Sequence, residues 1–327
     1  MDFTCGALFA GIGGFCLGFE SAQFKTSWAI EQDSYACNTY RKNLPNINLI
    51  TSDVREVSPT STNLEPVDVL HAGFPCQSFS QAGGRAGFND ARGRLFFEII
   101  RIIESFKDKR PKVLAFENAP FIRYGDGGAW FLTIKSAIQR AGYWFGEANS
   151  KELDAFTLTA LPQQRKRLFM VALSTKHFKS GKFDFPEDLH DQPKSFANYI
   201  DFSASVPNDY YLSSENKYAK MIGKVTEDRD VLYQLRKYEV RAKPRNLCPT
   251  LTANMGLGGH NVPFIYTPYG LRKLTEYECL RLQGFPASFE FPESVPRARR
   301  YTQIGNAVAV PVAQLLAKSI YTKLMVS

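Results

Sequence analysis

The feature that most constrains the fold is an alternation of short apolar runs with amphipathic segments in the first half of the chain. Apolar runs at residues 3–10, 26–30, 49–50, 67–71, 113–116 and 168–173 predict strands, and the segments 14–22, 34–42 and 94–106 predict helices. Buried strands that alternate with helices are typical of a parallel sheet covered by helices on both faces. We therefore predict a mostly parallel, doubly wound α/β fold.

The alternation stops near residue 176. The following hundred residues carry Pro, Ser, Asn and scattered charge, and residues 247–265 are rich in Gly and Thr. This composition predicts a second, smaller, loop-rich domain with short strands. Helical patterning returns at 275–282 and 311–323. We predict a large domain of residues 1–175 and 272–327, and a small domain of residues 176–271.

The net charge of +8 favours a polyanionic partner, although it equally suits a merely soluble basic protein. The excess positive charge is concentrated in two clusters, which comprise Arg236, Lys237, Arg241, Lys243 and Arg245, and then Arg297, Arg299 and Arg300. The six cysteines form no Cys-x-x-Cys pair and there are only four histidines, so we expect neither a zinc site nor a disulfide scaffold. We expect no signal peptide, no membrane span and a cytoplasmic location.

A nucleotide-like ligand is indicated at the ends of the first three predicted strands. Gly11, Gly13 and Gly14 stand between a strand and a helix, where glycines let a ligand approach the helix N-terminus, although they also serve plain tight turns. Glu31 follows the second strand and can accept ribose hydroxyls, and Asp53 follows the third and can accept an adenine amino group. Without the full Gly-x-Gly-x-x-Gly pattern, we predict an adenosine-containing cofactor that lacks a pyrophosphate.

Reactive groups follow the next strands. Cys76 comes directly after a buried strand and a proline, which predicts a thiol aimed at the ligand crevice, whereas the other five cysteines are interpreted as small buried residues. Glu117 ends the next strand, where a carboxylate is costly unless it is paired or used. Arg165 lies before a further strand. It is either a basic strand edge that meets phosphate or solvent, or a group that binds a carbonyl oxygen.

A thiol, a carboxylic acid and a guanidinium together fit covalent chemistry on cytosine. Addition of a thiolate to carbon 6 makes carbon 5 nucleophilic, and protonation of ring nitrogen 3 removes the charge that opposes the addition. An arginine on oxygen 2 would orient the ring. Because a base inside a duplex cannot reach these groups, it must swing out of the stack.

The residues resemble, in motif order and over nearly the whole chain, the bacterial DNA (cytosine-5)-methyltransferase family of the restriction–modification type. Residues 9–14 resemble its first motif, and Phe9 is similar to the ring that packs on adenine. The further matching segments are Gly73-Phe74-Pro75-Cys76-Gln77, residues 90–97, Glu117-Asn118, Gln163-x-Arg165-x-Arg167, Arg272-Lys273-Leu274 with Glu278, Arg281 and Gly284-Phe285-Pro286, and residues 303–308. Ala7, Ala119 and Ala160 depart from the family pattern, but none of them removes a catalytic group.

The resemblance implies methyl transfer from S-adenosyl methionine to carbon 5 of a flipped cytosine in a specific duplex sequence, with S-adenosyl homocysteine as product and no metal. It implies the catalytic residues Cys76, Glu117, Arg165 and Arg167. It implies the cofactor-binding residues Phe9, Gly11, Ile12, Gly13, Gly14, Glu31, Gln32, Asp53, Val54, Phe74, Pro75, Leu95, Asn306 and Ala307. It implies the DNA-binding residues Ser80, Arg92, Arg241, Lys243, Arg245, Thr250, Thr252, Asn254, Met255 and Gly256. The loop of residues 78–89 would close over the flipped base.

The same resemblance implies double-stranded DNA as partner, a cognate restriction endonuclease in the same system, and a monomer. Three alternatives remain. An RNA cytosine-5 methyltransferase of the same fold is disfavoured by the large recognition segment. A catalytically silent DNA-binding module is disfavoured by the intact Cys76, Glu117 and Arg165. A nicotinamide dehydrogenase is disfavoured because nothing else in the chain supplies hydride chemistry.

Overall fold

The computed structural model describes residues 3–58, 62, 64–75, 93–188, 194–223, 230–235, 239–257 and 261–326. The strands are β1 (Thr4–Leu8), β2 (Lys25–Glu31), β3 (Asn48–Thr51), β4 (Val69–Gly73), β5 (Val113–Asn118), β6 (Tyr143–Trp144), β7 (Ser150–Asp154), β8 (Lys166–Ser174), β9 (Tyr233–Leu235), β10 (Val240–Ala242), β11 (Phe264–Thr267) and β12 (Gly270–Lys273). The helices are α1 (Gly14–Glu20), α2 (Ser34–Asn43), α3 (Leu95–Ser105), α4 (Ala129–Arg140), α5 (Ala155–Leu158), α6 (Lys217–Gly223), α7 (Glu276–Leu282), α8 (Arg297–Asn306) and α9 (Val310–Met325).

The contacts between Cα atoms divide the chain into two compact units. The first comprises residues 1–153, 166–187 and 310–327, and the second comprises residues 154–165 and 188–309. The units differ from the predicted domains at residues 154–165 and 272–309, which belong to the second unit, and at residues 176–187, which belong to the first. The segment that contains α8 belongs to the second unit because α8 packs closely on the 3-10 turn Ala253–Leu257, where Gly305 faces the backbone of Thr252 and Ala253. The functional domain boundaries stay a prediction.

The first unit is built on a sheet with the strand order β3-β2-β1-β4-β5-β8-β6, and β7 pairs with β8. The pairs among β1, β2, β3, β4 and β5 are parallel, whereas β8 is antiparallel to both β5 and β6. The prediction of a mostly parallel sheet is confirmed. The chain runs outward from β1 to β3 and then restarts at β4 on the other side of β1. Such a reversal opens a ligand crevice at the carboxyl ends of the strands.

Helices cover both faces of this sheet, as predicted. On one face α3 and α4 pack on Trp28, Leu114 and Phe116. On the other face Cys16 of α1 and Tyr40 of α2 pack on Ala7 and Ala29. All six residues of β5 are buried. An almost continuous apolar run is therefore needed in this strand, and that run is what the sequence shows.

The second unit contains a smaller antiparallel sheet with the order β10-β9-β11-β12. Its core includes Ile222, Tyr233, Phe264 and Leu271. The prediction of a smaller part made of loops and short strands is confirmed, although the helix α8 was not predicted. No helix in the described parts of the chain is both long and apolar enough to cross a bilayer.

Candidate active site and cofactor pocket

The turn after β1 carries the glycines that were predicted to face a cofactor. Phe9, Gly11 and Gly13 have positive φ angles of 55°, 57° and 91°. A side chain at Gly13 would also collide with side chains at the end of α2, so glycine is needed there for both conformation and space. Ile12 is buried and Gly14 begins α1. A phenylalanine with positive φ is strained, and such strain persists only where the surrounding structure holds it.

Glu31 ends β2 and fastens this turn to the sheet. Its Oε2 accepts the backbone N–H of Gly11 at 2.8 Å, and its Oε1 accepts those of Gln32 at 2.8 Å and Asp33 at 2.9 Å. A carboxylate offers about four acceptor positions, so these three bonds leave about one, on Oε2. The carboxylate is thus held in one orientation and retains capacity for one further donor, such as a ribose hydroxyl.

Asp53 follows β3 and begins a 3-10 turn, Val54–Glu56. Its Oδ1 accepts the backbone N–H of Arg55 at 2.9 Å and the Nε of the same residue at 3.0 Å. These hydrogen bonds from Arg55 lower the pKa of the Asp53 carboxyl. Asp53 is therefore ionised at neutral pH and can accept a hydrogen bond from a ligand amino group.

These carboxylates share one pocket at the carboxyl ends of β2 and β3. Its lining comprises Phe9, Ile30, Glu31, Gln32, Ser52, Asp53, Val54 and Leu95. Six of these eight residues were predicted to bind the cofactor. Ile30 and Ser52 were missed, although each lies within a residue of a predicted carboxylate. The pocket offers an aromatic ring, apolar walls and two carboxylates, which together suit a nucleoside.

The register between β4 and β5 positions Glu117. Gly73 is paired with Glu117, so the two strands are neighbours, as the chemistry requires. The amide of Asn118 reinforces this end of the sheet: its Nδ2 donates to the carbonyl oxygen of Phe74 at 3.0 Å, and its Oδ1 accepts the N–H of Ala119 at 2.8 Å. Asn118 was not among the predicted site residues. Its place beside Glu117 in the motif was the available signal.

Glu117 is 8% exposed and its Oε1 lies 3.1 Å from the Nε of Arg167 in β8. Arg165 is also buried, at 3%, but its guanidinium belongs to the second unit and donates to the backbone carbonyl oxygens of Leu251, Gly305 and Ala307. The structure therefore places Arg167 beside Glu117. The hypothesis that Arg165 binds a base carbonyl stays a prediction, and these three hydrogen bonds do not favour it.

Three predicted site residues, Cys76, Ser80 and Arg92, lie outside the described residues. Pro75 is the last described residue before Cys76. Phe74 is buried and packs on Phe96 and Phe116, so it contributes to the core below the crevice and does not line the pocket.

The other five cysteines behave as the small buried residues they were predicted to be. Cys5, Cys16, Cys37, Cys248 and Cys279 are all free and buried. Burial raises the pKa of the Cys16 thiol to about 12 and also raises the pKa of the Cys279 thiol. Thiols of this kind are protonated at neutral pH and inert as nucleophiles.

Three predicted DNA-binding residues, Arg241, Lys243 and Arg245, belong to a basic cluster in the second unit. Arg241 pairs with Glu239, and Arg245 lies 3.3 Å from the carboxylate of Asp230. Exposed ion pairs of this kind contribute at most about 1 kcal/mol, so a phosphate could replace either carboxylate. The backbone N–H of Lys243 donates to the carbonyl oxygen of Leu232 at 3.0 Å. In the other basic cluster, Arg297 and Arg300 pair with Glu276.

The predicted DNA-binding residues between positions 250 and 256 are only partly exposed. Thr252 and Asn254 are exposed, whereas the Thr250 hydroxyl donates to the carbonyl oxygen of Gln164 at 2.7 Å. Met255 is 2% exposed, which does not fit the predicted contact with DNA because its side chain fills the packing of this unit. At Gly256 a Cβ would overlap α8. Asn306 is exposed at the end of α8, and Ala307 is buried beside it.

Within the described ranges, no group of three or more His, Cys, Asp and Glu side chains could hold a metal ion. The predicted absence of a metal stays a prediction.

Comparison with known proteins matches residues 3–322 to the C-5 cytosine-specific DNA methylase family. The chain is 39% identical to the type II methyltransferase M.Bsp6I of Bacillus sp. (strain RFL6), over 98% of both chains. It is 35% identical to M.HaeII of Haemophilus aegyptius, over 97% of this chain and 92% of the relative. Among solved structures, the Entamoeba histolytica methyltransferase EhMeth matches with a TM-score of 0.76 at 17% identity, over 99% of both chains. A DNMT2 variant of Spodoptera frugiperda matches with a TM-score of 0.73 at 18% identity, over 98% of this chain and 100% of the other. At such identities the structures support the fold alone.

Proposed function

The chain belongs to the C-5 cytosine-specific DNA methylase family. On that basis we propose which of its residues bind the cofactor, carry out the chemistry and contact DNA. The activity of the family is the methylation of carbon 5 of cytosine in DNA with S-adenosyl methionine. The observation that carries the proposal is the position of Glu117. Glu117 is the next-to-last residue of β5 and contacts Arg167. It is paired with Gly73, which lies three positions before Cys76 in the sequence.

The pocket at the ends of β2 and β3 is the proposed site of S-adenosyl methionine. The remaining acceptor position of Glu31 fits a ribose hydroxyl, and the ionised Asp53 fits the adenine amino group. Phe9, Val54 and Leu95 provide apolar surface for the adenine. The glycines of residues 11–14 leave the backbone accessible beside the pocket. When bound, S-adenosyl methionine supplies an electrophilic methyl group.

The proposed chemistry begins with the Cys76 thiolate, which forms a bond to carbon 6 of the flipped cytosine. The π electrons of the carbon 5–carbon 6 bond form a carbon 4–carbon 5 double bond, and those of the carbon 4–nitrogen 3 bond move onto nitrogen 3, which takes a proton from Glu117. Carbon 5 thereby becomes the nucleophile. A bond from carbon 5 to the methyl group would form as the methyl–sulfur bond of S-adenosyl methionine breaks, with S-adenosyl homocysteine as the leaving group, while the carbon 4–nitrogen 3 double bond is restored. A base then removes the proton from carbon 5, the carbon 5–carbon 6 double bond re-forms, and the thiolate leaves as nitrogen 3 returns its proton.

We propose that the guanidinium of Arg167 contacts the flipped cytosine. Its Nε pairs with Glu117, and this contact orients the carboxyl group towards the ring. The remaining guanidinium N–H groups of an arginine form a planar fork that suits a carbonyl oxygen such as oxygen 2 of cytosine. We place Arg165 outside this catalytic set because its guanidinium binds three backbone carbonyls.

The second unit is proposed to recognise duplex DNA. Arg241, Lys243 and Arg245 would contact phosphates, which position the protein, and Thr252 and Asn254 would contact base edges. Ser80 and Arg92 remain proposed DNA contacts. We further propose a monomeric, cytoplasmic enzyme without a metal, which works beside a cognate restriction endonuclease.

The proposal is tested by methyl incorporation from radiolabelled S-adenosyl methionine into plasmid DNA and into transfer RNA. We expect incorporation into DNA alone, loss of it in Cys76→Ser, and a fall of about 100-fold or more in Glu117→Gln. Glu104→Gln, the same change at an exposed residue of α3, is the matched control. Incorporation into transfer RNA in preference to DNA would favour the RNA methyltransferase alternative. Full activity of Cys76→Ser would refute the covalent mechanism.

A further inference from the structure

Two buried side chains hold the backbone of Leu251 from both sides. The Oε1 of Gln163 accepts the N–H of Leu251 at 3.3 Å, and the Nη1 of Arg165 donates to the Leu251 carbonyl oxygen at 2.8 Å. The two segments also run side by side, since the N–H of Gln164 donates to the carbonyl oxygen of Cys248 at 2.9 Å. Both polar backbone groups of Leu251 are therefore satisfied by one short run of chain.

The same side chains reach the ends of two helices in the second unit. The Nε2 of Gln163 donates to the carbonyl oxygen of Leu282, the last residue of α7, at 2.8 Å, and to the Oε1 of Gln283 at 3.2 Å. Gln283 in turn donates to the carbonyl oxygen of Ile304 in α8 at 2.8 Å. The Nη2 of Arg165 donates to the carbonyl oxygens of Gly305 at 3.1 Å and Ala307 at 2.7 Å. Residue 251 and the ends of α7 and α8 thus form one bonded cluster.

This cluster is almost completely shielded from water. Gln163 and Gln283 are 0% exposed, and Arg165 is 3% exposed. Burying an arginine and two amides is costly, and the cost is recovered only while every partner stays in place. Displacing Leu251 would leave several of these groups without partners at once. The network therefore strongly restricts the position of the backbone around residue 251.

Because the backbone of Leu251 is fixed, the position of the residues that follow it is restricted as well. The 3-10 turn Ala253–Leu257 lies against α8, where Gly256 and Gly305 provide close backbone contact. Thr252 and Asn254 are nevertheless exposed. Polar side chains on a rigid backbone lose less freedom on binding than the same groups on a mobile loop. Two candidate base contacts are therefore presented from a preorganised segment.

We propose that Gln163, Arg165 and Gln283 are positioning residues for DNA recognition, which act through the backbone of residues 250–257. The inference rests on the proposed function, and it assigns Arg165 to site recognition where its motif had suggested catalysis. The two roles predict different kinetics. A positioning residue affects the KM for DNA and the discrimination between sites, whereas a residue on the base affects the rate of methyl transfer at saturating DNA.

The test compares wild type, Arg165→Lys and Gln163→Met, with Lys166→Gln as a matched control. Lys166 is the next residue along the chain and its side chain is largely exposed. Lys166→Gln therefore changes the same segment, and removes a charge from it, without touching the buried cluster. A lysine keeps the charge of Arg165 but cannot reach three carbonyls with one ammonium group. Bisulfite sequencing of methylated plasmid first identifies the site. A duplex that contains it and a duplex with one base pair exchanged are the two substrates.

We expect Arg165→Lys and Gln163→Met to raise the KM for the cognate duplex by about tenfold and to reduce discrimination against the exchanged duplex, since each loses hydrogen bonds to the segment. The single-turnover rate at saturating DNA and the Kd for S-adenosyl homocysteine should stay within about twofold of wild type, as should every constant of Lys166→Gln. A large fall in single-turnover rate with an unchanged KM would overturn the proposal.

Hydrogen–deuterium exchange gives a readout that does not depend on activity. In wild type the amide of Leu251 should exchange slowly, and peptides that cover residues 250–257 should exchange faster in both variants while peptides of β5 stay unchanged. Rapid exchange of Leu251 in wild type would overturn the inference even if neither variant folded. Failure of wild type to methylate DNA would instead refute the proposed function.

Discussion

Replacing Glu31 by glutamine is expected to weaken cofactor binding by an amount that the structure allows us to estimate. The carboxylate accepts three backbone N–H groups and has about one acceptor position left, on Oε2. An amide has a single oxygen, which can keep the two bonds from Gln32 and Asp33. Its NH2 group would then stand where Oε2 was, facing the N–H of Gly11 and any ribose hydroxyl.

The lost bond to Gly11 affects the free and the bound protein alike, so only the ligand bond changes the affinity. A hydrogen bond to a charged group contributes about 1.5–3 kcal/mol, which corresponds to a rise in Kd of about 10- to 100-fold. Titration calorimetry with S-adenosyl homocysteine measures this directly. Glu56→Gln removes an exposed carboxylate nearby and should leave the Kd unchanged. A Glu31→Gln protein with a Kd within about twofold of wild type would refute the assignment of this pocket.

Two further predictions concern buried titratable groups, one in each unit. Burial lowers the pKa of His71 to about 3, against about 6.5 when unfolded, so the ring stays neutral in the folded protein and stability falls as the pH drops below 6.5. From pH 8 to pH 5, urea unfolding should show wild type losing about 2 kcal/mol more than His71→Leu, and equal losses would contradict the prediction. The guanidinium of Arg272, 0% exposed, forms two bonds of 2.8 and 2.7 Å with the carboxylate of Glu278. Arg272→Met should cost about 3–5 kcal/mol of unfolding free energy and Arg272→Met/Glu278→Gln less, whereas a cost below about 1 kcal/mol for the single variant would show that the pair is not strongly coupled.

The sheet of the first unit could be predicted because its strands are buried on both faces. The strand Val113–Asn118 is buried at every position, and its first four residues form an apolar run of a length that suits a strand. The amphipathic segments between such runs suit helices. The direction of β8 was not accessible in this way. A buried antiparallel strand next to a parallel one needs the same apolar residues, so its composition does not reveal its orientation.

The helix α8 was missed for a related reason. Its sequence begins with Arg297, Ala298, Arg299 and Arg300, and it offers few apolar positions. It forms a helix in the context of its packing, in which Glu276 pairs with Arg297 and Arg300 from more than twenty positions away. A basic cluster in a sequence suggests phosphate contacts, but it does not disclose acidic partners that are distant along the chain.

Some roles in the candidate site could be predicted from the sequence, whereas others could not. Glu31, Asp53 and Glu117 could be predicted because each stands at the end of a recognisable strand, and such ends meet at one edge of the sheet. The different roles of Arg165 and Arg167 could not. The two residues are separated by a single position in one motif, and only the folded chain shows that one meets backbone carbonyls and the other meets Glu117.

The central claim, that Cys76 attacks carbon 6 beside Glu117, is tested most directly by trapping the adduct. A plasmid fragment amplified with 5-fluorodeoxycytidine triphosphate in place of dCTP carries fluorine at carbon 5, and the methylated adduct then has no proton there to lose. After incubation with S-adenosyl methionine, the account predicts a protein–DNA complex that survives denaturation, and peptide mass spectrometry should assign the attachment to Cys76. Robust methylation of ordinary DNA without any such complex, or attachment at another residue, would contradict it.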